Sequence, residues 1–337
     1  MRIILDALGG DNAPLAVIKG GALAMKNLGV DITLVGDAEA IKKAAAGENI
    51  DLGPFEVIDA PGEMPIEAEA TEILKVYGDT SMATGLKMLA DGQGDAFVSA
   101  GSTAALMVGA TFIVKRIKGV KRPALGSMVP CYKGRYLLLD CGANHECRPD
   151  MLCQFGIMGS VYMNRVMGLG APRVALVNIG TEPNKGTELY VEAHQKLAAA
   201  PINFTGNIEA RDVPLGGCDV AVADGFTGNV MLKLSEGFGS FIKRILKDML
   251  MKSAGTKLAA MLLKGQISEL SRDMDYASVG GAPLLGIAKP VIKAHGSSNE
   301  VAIMNAVRQA ATCVESGMVA EIEAGMAQMK ESKSEAE

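Results

Sequence analysis

Five short loops, each rich in glycine and small polar residues, hold the side chains of this 337-residue chain that are equipped for chemistry. They read Asp6-Ala7-Leu8-Gly9-Gly10-Asp11-Asn12, Ser99-Ala100-Gly101-Ser102-Thr103, Asp140-Cys141-Gly142-Ala143-Asn144, Asn178-Ile179-Gly180-Thr181-Glu182 and Asp224-Gly225-Phe226-Thr227-Gly228-Asn229. Each follows a short apolar run, and several open directly into a helical pattern. Glycine lets a backbone approach a ligand closely. A helix start offers free N–H groups and a positive dipole end, which suits an anion. One such loop reads equally well as a turn or an N-cap. Five of them at strand carboxyl ends, where open α/β sheets bind ligands, predict one anion site on one edge of a sheet.

Other chemistries lack their residues. There is no G-x-G-x-x-G after the first strand and no G-x-x-x-x-G-K-[ST]; the order in Gly180…Lys185-Gly186 is wrong for a P-loop. There is no G-x-S-x-G elbow. The three histidines, His145, His194 and His295, form no readable triad, and His194 reads as a surface residue of a helix. Cys141, Cys147 and Cys153 fit no zinc spacing, so no metal and no cofactor is expected. Of the six cysteines only Cys141 falls in a strand-end loop, and no covalent nucleophile is indicated. What remains is a site that holds an anion against an uncharged electrophile. A net charge of −5, the absence of Trp and 4% aromatic residues argue against a nucleic-acid partner.

The elements that position these loops are legible. Apolar runs at 3–6, 32–36, 55–59, 96–100, 136–140, 173–179, 202–206 and 220–224 lack polar alternation, as strands buried on both faces do. Helical patterns lie at 14–28, 80–91, 103–114, 150–166 and 188–199. Alternation of the two predicts a largely parallel sheet covered on both sides. The length fits about two domains or one large α/β domain. No apolar run reaches membrane-spanning length, and the acid at Asp6 argues against a signal peptide, so a cytoplasmic location is expected.

Taken together the loops resemble the bacterial phosphate acyltransferase family of phospholipid synthesis. Asp6–Pro14, Asp140–Asn144, Asn178…Lys185-Gly186, Asp224-Gly225-Phe226-Thr227-Gly228-Asn229-Val230…Lys233 and Gly280-Gly281-Ala282-Pro283…His295-Gly296-Ser297-Ser298-Asn299 match it in order, from residue 1 to about 320. The resemblance implies attack of inorganic phosphate on the thioester of a long-chain acyl carrier protein. It implies a three-layer α/β/α fold of the isocitrate dehydrogenase and phosphate acetyltransferase kind, and a homodimer. Lys185 falls on the family's lysine and Asn229 on its asparagine. Phosphate is already nucleophilic and needs orientation rather than a strong base. Lys185 suits phosphate and developing negative charge, and Asn229 suits the thioester oxyanion. Lys185 also reads as a solvated loop lysine, and Asn229 as a helix N-cap.

Asp6, Gly9, Gly10, Asp11, Asn12, Ser99, Gly101, Ser102, Thr103, Asn144, Asn178, Gly180, Thr181, Gly228, His295, Ser297 and Asn299 complete the expected phosphate and substrate site, with backbone N–H groups of the Gly9-Gly10 and Gly101–Thr103 loops on the phosphate oxygens. The chain departs from the family in three places. Only Lys75 stands where a basic cluster usually precedes Ser81-Met82. Ala104 replaces a usual glycine. His145 replaces an apolar residue and is not counted as catalytic.

Residues 233–272 carry an excess of lysine and arginine beside Phe238, Phe241, Ile242, Ile245, Leu246 and Met249 at helical, one-faced spacing. A helical hairpin at about 236–275 is expected, broken near Ser253-Ala254-Gly255. Its tip, with Leu258, Met261, Leu262, Leu263 and Lys264, fits either a membrane surface or a dimer interface with a basic rim. A second basic patch, Lys115, Arg116, Lys118, Lys121, Arg122, Lys133 and Arg135, is the candidate dock for an acidic carrier protein, with Lys121 and Arg122 in it. A peripheral place on the inner face of the membrane, next to an acyltransferase that consumes acyl phosphate, follows from the same reading. One domain is expected over 1–329, and residues 330–337 read as disordered.

Overall fold

The computed structural model describes residues 1–65, 67–132, 134–267 and 280–334, with side chains as far as 330 and without that of 66 or 133. Eleven strands form one sheet: Arg2–Asp6 (β1), Asp31–Gly36 (β2), Glu56–Asp59 (β3), Ala96–Ser99 (β4), Ala124–Cys131 (β5), Gly134–Leu139 (β6), Val174–Asn178 (β7), Phe204–Glu209 (β8), Val220–Val222 (β9), Ala282–Leu285 (β10) and Val291–Lys293 (β11). The order is β3-β2-β1-β4-β11-β10-β5-β6-β9-β7-β8. The helices used below are Leu15–Leu28 (α1), Ala38–Gly47 (α2), Ser81–Ala90 (α3), Thr103–Gly109 (α4), Pro149–Arg165 (α5), Glu188–Ala198 (α6), Gly225–Leu250 (α7), Ala254–Leu262 (α8), Glu300–Glu315 (α9) and Met318–Ser334 (α10).

Successive strand residues point to opposite faces. Ile3, Leu5, Leu137 and Leu139 therefore pack into one core with α1, α5, α6, α9 and α10, while Ile4, Leu138, Ala175 and Val177 pack into a second with α3 and α4. This two-sided burial is why the strands read as unbroken apolar runs, and the layers are α/β/α.

The expectation of a single sheet edge needs correction. Strands β3, β2, β1, β4 and β11 are mutually parallel, and so are β6, β9, β7 and β8. Between them β11–β10, β10–β5 and β5–β6 are each antiparallel, so the two sets run in opposite directions. The register still brings their ends together. Ile292 stands opposite Pro283, Leu284 opposite Leu125, and Gly126 opposite Leu139, which puts the carboxyl ends of β11 and β6 level at the centre of the sheet. The loops that leave the two sets thus meet in the middle.

Helix α7 rises from this centre and keeps only Gly225 and Gly228 fully buried. Phe238, Phe241, Ile245 and Met249 remain exposed along it. The break after α7 comes at Met251, two residues before the expected one, because the Ser253 hydroxyl caps α8 by accepting from Thr256 N–H at 3.2 Å. Met261 and Leu262 are 72% and 78% exposed. Helical backbone resumes at 264–267, and the second arm of the hairpin lies outside the described residues, as does Lys133. Two further expectations change. His194 is half-buried, with Nδ1 3.0 Å from Asn207 Oδ1 and its ring edge-on to Phe204. Helix α10 continues through 330–334, part of the stretch that reads as disordered.

Candidate active site

Asp6 closes β1 and is buried. Its carboxylate accepts hydrogen bonds from Ser81 and Ser99, each at 2.6 Å. Burial raises this carboxyl above its usual range, against the pull of the two hydroxyls. The Gly9-Gly10 loop then folds onto the loop after β11. Asp11 N–H donates to Gly296 O at 2.8 Å, and the Asn12 amide donates to the carbonyls of Ser297 and Ser298, both at 3.2 Å.

Several donors expected to cradle phosphate are committed elsewhere. Gly9 N–H points to Asp6 O at 3.4 Å and Gly101 N–H to Ser99 Oγ at 3.0 Å. The Ser102 hydroxyl caps α4 by accepting from Ala105 N–H at 3.4 Å. These residues brace the loops, and from this group Thr103 faces the cavity described below.

At the end of β6, buried Asp140 gathers the N–H groups of Leu125 at 3.0 Å, Ala143 at 3.1 Å and Asn144 at 2.7 Å. The Asn144 side chain spends its own N–H groups on Asp140 at 2.9 Å and Pro123 O at 2.8 Å, so it shapes the loop and does not line the cavity. Burial raises the Asp140 carboxyl, with Asn144 opposing, and raises the Cys141 thiol well above the usual range. Cys141 is therefore no ready thiolate.

Asp224, not Asn229, caps α7: it accepts from Thr227 N–H at 2.8 Å. Gly228 makes the next step possible, since a Cβ there would lie 1.8 Å from Asp140 O. This close approach sets Asn229 over the β6 loop, where its amide donates to Cys141 O at 3.1 Å and lines the cavity. Gly142, at φ +128°, leaves room for that amide; a Cβ would come 2.7 Å from Asn229 Nδ2.

The β7 loop stands apart. Asn178 accepts from Ile179 N–H at 2.8 Å and donates to Lys185 O at 3.0 Å. The Lys185 side chain is 46% exposed and lies 3.8 Å from Glu182. Asn178, Gly180, Thr181 and Lys185 do not line the cavity that holds Asn229. The element that follows is nevertheless tied to α7, because the Tyr190 hydroxyl donates to Asp224; burial, with that carboxylate beside it, pushes the Tyr190 phenol up to about 12.

The cavity has a volume of about 910 Å³. Thr103, Asn229, Lys293, His295, Ser297 and Ser298 give it polar groups, while Met107, Val108, Leu125, Met128 and Leu232 give it apolar wall. It draws on the ends of β4, β11 and β6 and on α7, the elements that the register brings level. Asn299 lines it too and caps α9 by accepting from Ala302 N–H at 2.9 Å; His295 Nδ1 lies 2.8 Å from Ser297 Oγ. Lys293 and Ser298 also line the cavity; neither is among the expected site residues, although Ser298 falls within the His295–Asn299 motif. The available signal was a lysine closing the apolar run Val291-Ile292.

In the basic patch Lys121 pairs with Asp150, and Arg148 stands 3.6 Å from the same carboxylate, so the patch is partly neutralised. Lys118 and Arg122 are exposed.

The fold is similar to those of a phosphotransacetylase and a 4-hydroxythreonine-4-phosphate dehydrogenase. A phosphotransacetylase from Staphylococcus aureus superposes with a TM-score of 0.64 at 17% identity, over 93% of this chain and 94% of that one. A 4-hydroxythreonine-4-phosphate dehydrogenase from Klebsiella pneumoniae superposes with a TM-score of 0.56 at 15% identity, over 93% and 99%. The family model described as "Fatty acid synthesis protein" matches residues 1–321. The phosphate acyltransferase of Alkaliphilus oremlandii is 42% identical over 98% of both chains, and that of Caldicellulosiruptor saccharolyticus 44% identical over 95% of this chain and 96% of its own. The chain belongs to the bacterial phosphate acyltransferase family, and acyl transfer to phosphate is the activity that this membership supports.

Proposed function

We propose that this protein makes long-chain acyl phosphate from the thioester of an acyl carrier protein and inorganic phosphate, for phospholipid synthesis. The observation that carries the reading is the central cavity, which joins Asn229 and a cluster of polar groups to an extended apolar wall. An acyl chain lies along Met107, Val108, Met128 and Leu232. Its thioester carbonyl meets the Asn229 amide, and phosphate attacks the carbonyl carbon. The tetrahedral oxyanion that forms collapses with release of the carrier protein thiolate. Asn229 spends one N–H on Cys141 O, and its second is free for the oxyanion, where a preorganised donor is most effective. Lys185 reaches the site as its loop closes over bound carrier protein and meets the charge that develops on the transferring group.

The apolar face of α7 and the exposed tip of α8 favour a peripheral place at the membrane. No helix among the described residues is long and apolar enough to cross one. The protein acts as a homodimer, the tip meeting lipid where the membrane-seeking product passes to the next acyltransferase. Lys118, Lys121 and Arg122 receive the acidic carrier protein.

The test is a comparison of palmitoyl carrier protein, palmitoyl-CoA and acetyl-CoA, each with phosphate, scored by hydroxylamine trapping of acyl phosphate. The carrier-protein substrate is expected to give the highest kcat/KM. A preference for acetyl-CoA would instead make this a phosphate acetyltransferase, and no product from any donor would leave a carrier-protein adaptor without activity.

A further inference from the structure

Lys293 lies at the carboxyl end of β11 and is half-buried, although its run Val291-Ile292 is core. Its Nζ donates to Ala100 O at 3.3 Å and to Ala294 O. A lysine ammonium carries three N–H groups, so one remains to give. The carboxylates of Asp6 and Asp11 favour its charge, while burial pulls its pKa down to about 8. A half-buried cation that spends its donors on main-chain carbonyls gains little stability from being there. Its place is explained by an anion that comes and goes.

A second observation points the same way. Ser298 is 7% exposed and lines the same cavity, yet its Oγ has no hydrogen-bond partner among the described residues. A buried hydroxyl left unsatisfied is destabilising and calls for a ligand. The adjacent Asn299 caps α9, so the hydroxyl sits at the positive end of a long helix. Asn12 holds this loop by donating to the carbonyls of Ser297 and Ser298, which fixes the β1 loop against it.

We propose that Lys293 and Ser298 form the subsite that binds the attacking inorganic phosphate. The inference rests on the reading above that phosphate is a substrate of this cavity. It moves phosphate recognition away from the backbone of the Gly9-Gly10 loop, whose role becomes bracing. Lys293 supplies charge and Ser298 a hydrogen bond, and the phosphate then lies on the β11 side of the cavity, facing Asn229 across it.

The test pairs phosphate binding with stability. Phosphate titrated alone into the wild-type protein is expected to raise its thermal midpoint. Lys293→Met keeps the apolar stem and removes the charge. It is expected to abolish that rise and to increase the KM for phosphate roughly a hundredfold, the scale of losing a charged hydrogen bond. Ser298→Ala is expected to increase the same KM about tenfold, yet to melt no lower than wild type without phosphate, since it removes an unsatisfied buried group. The KM for the acyl donor should change little in either variant. Lys293→Arg restores the charge and should recover part of the phosphate response. Wild-type phosphate KM in Lys293→Met and Ser298→Ala overturns the subsite. A Ser298→Ala protein that melts several degrees lower shows the hydroxyl to be structural and overturns its role too. If wild type forms no acyl phosphate but still binds phosphate through Lys293, the subsite stands and the proposed reaction fails.

Discussion

At the scale of the residue, the two proposed catalytic side chains differ in what surrounds them. Asn229 is fixed by its bond to Cys141 O and by the space that Gly142 leaves. Asn229→Ala is therefore expected to fold normally and to lose about a hundredfold or more in kcat, the scale for one preorganised oxyanion donor. Lys185 is exposed and outside the cavity, so its role requires its loop to close. Lys185→Ala should lower kcat by a comparable factor; a change confined to the KM for carrier protein would make it a docking residue instead. Cys141→Ala should retain most activity, since burial keeps that thiol protonated, and an acyl-cysteine isolated from wild type would overturn direct attack. Lys293 adds a dependence on pH. The charges acting on it are Asp6 and Asp11, from β1 and its loop; His295 from its own loop, His145 after β6 and Lys233, Glu236 and Lys243 on α7 line the cavity with it. Its pKa is near 8, so it is protonated below that value and neutral above it. The KM for phosphate should rise as pH passes upward through about 8, and the rise should flatten in Lys293→Arg, because arginine stays charged. The strand-end loops were legible from residue types alone. Lys293 was not, because a lysine in a sequence reads as solvated until the strands on either side of it are known.

At the scale of the element, the apolar runs located β1 to β4 and β6 to β9, because strands buried on both faces leave little doubt in a sequence. Of the three missed strands, β5 and β10 join the two parallel sets and β11 is the last strand of the first set. In β5, Pro130 and Gly126 interrupt the run, and β10 and β11 are four and three residues long beside Gly280-Gly281 and Gly286. Helix α2 was missed, although Asp37, which accepts from Glu39 N–H and Ala40 N–H, was a readable cap. The start of α7 is the most constrained junction near the site. A methyl group at Gly228 would lie 1.8 Å from the Asp140 carbonyl, so the helix would have to move. Gly228→Ala should lower stability by about 1–3 kcal/mol, the range for overpacking a filled site, and should lose activity through Asn229; chemical denaturation with a kcat measurement checks both. The hairpin is open to a different test. Leu262 and Leu263 are exposed, so changing both to Glu should leave activity on carrier protein intact while abolishing flotation with anionic vesicles. If the double change breaks a dimer and leaves flotation unchanged, the apolar face belongs to the subunit contact.

At the scale of the whole molecule, the site depends on a feature that no local pattern reveals. Two parallel sheet halves run in opposite directions, and β5 and β10 set their register so that carboxyl ends meet at the centre. The cavity is lined from both halves, which places a polar cluster from one across from Asn229 of the other. An acyl donor and a phosphate acceptor can thus enter from different elements and meet. Catalysis then needs little beyond orientation and oxyanion stabilisation, since phosphate brings its own nucleophilicity. The most direct test of the central claim is a single turnover of palmitoyl carrier protein with excess enzyme, followed by phosphorus NMR and mass analysis of the products with and without phosphate. Palmitoyl phosphate and free carrier protein should appear in equal amounts and only when phosphate is present. Release of free palmitate at the same rate without phosphate, or no release of carrier protein under either condition, would contradict the account.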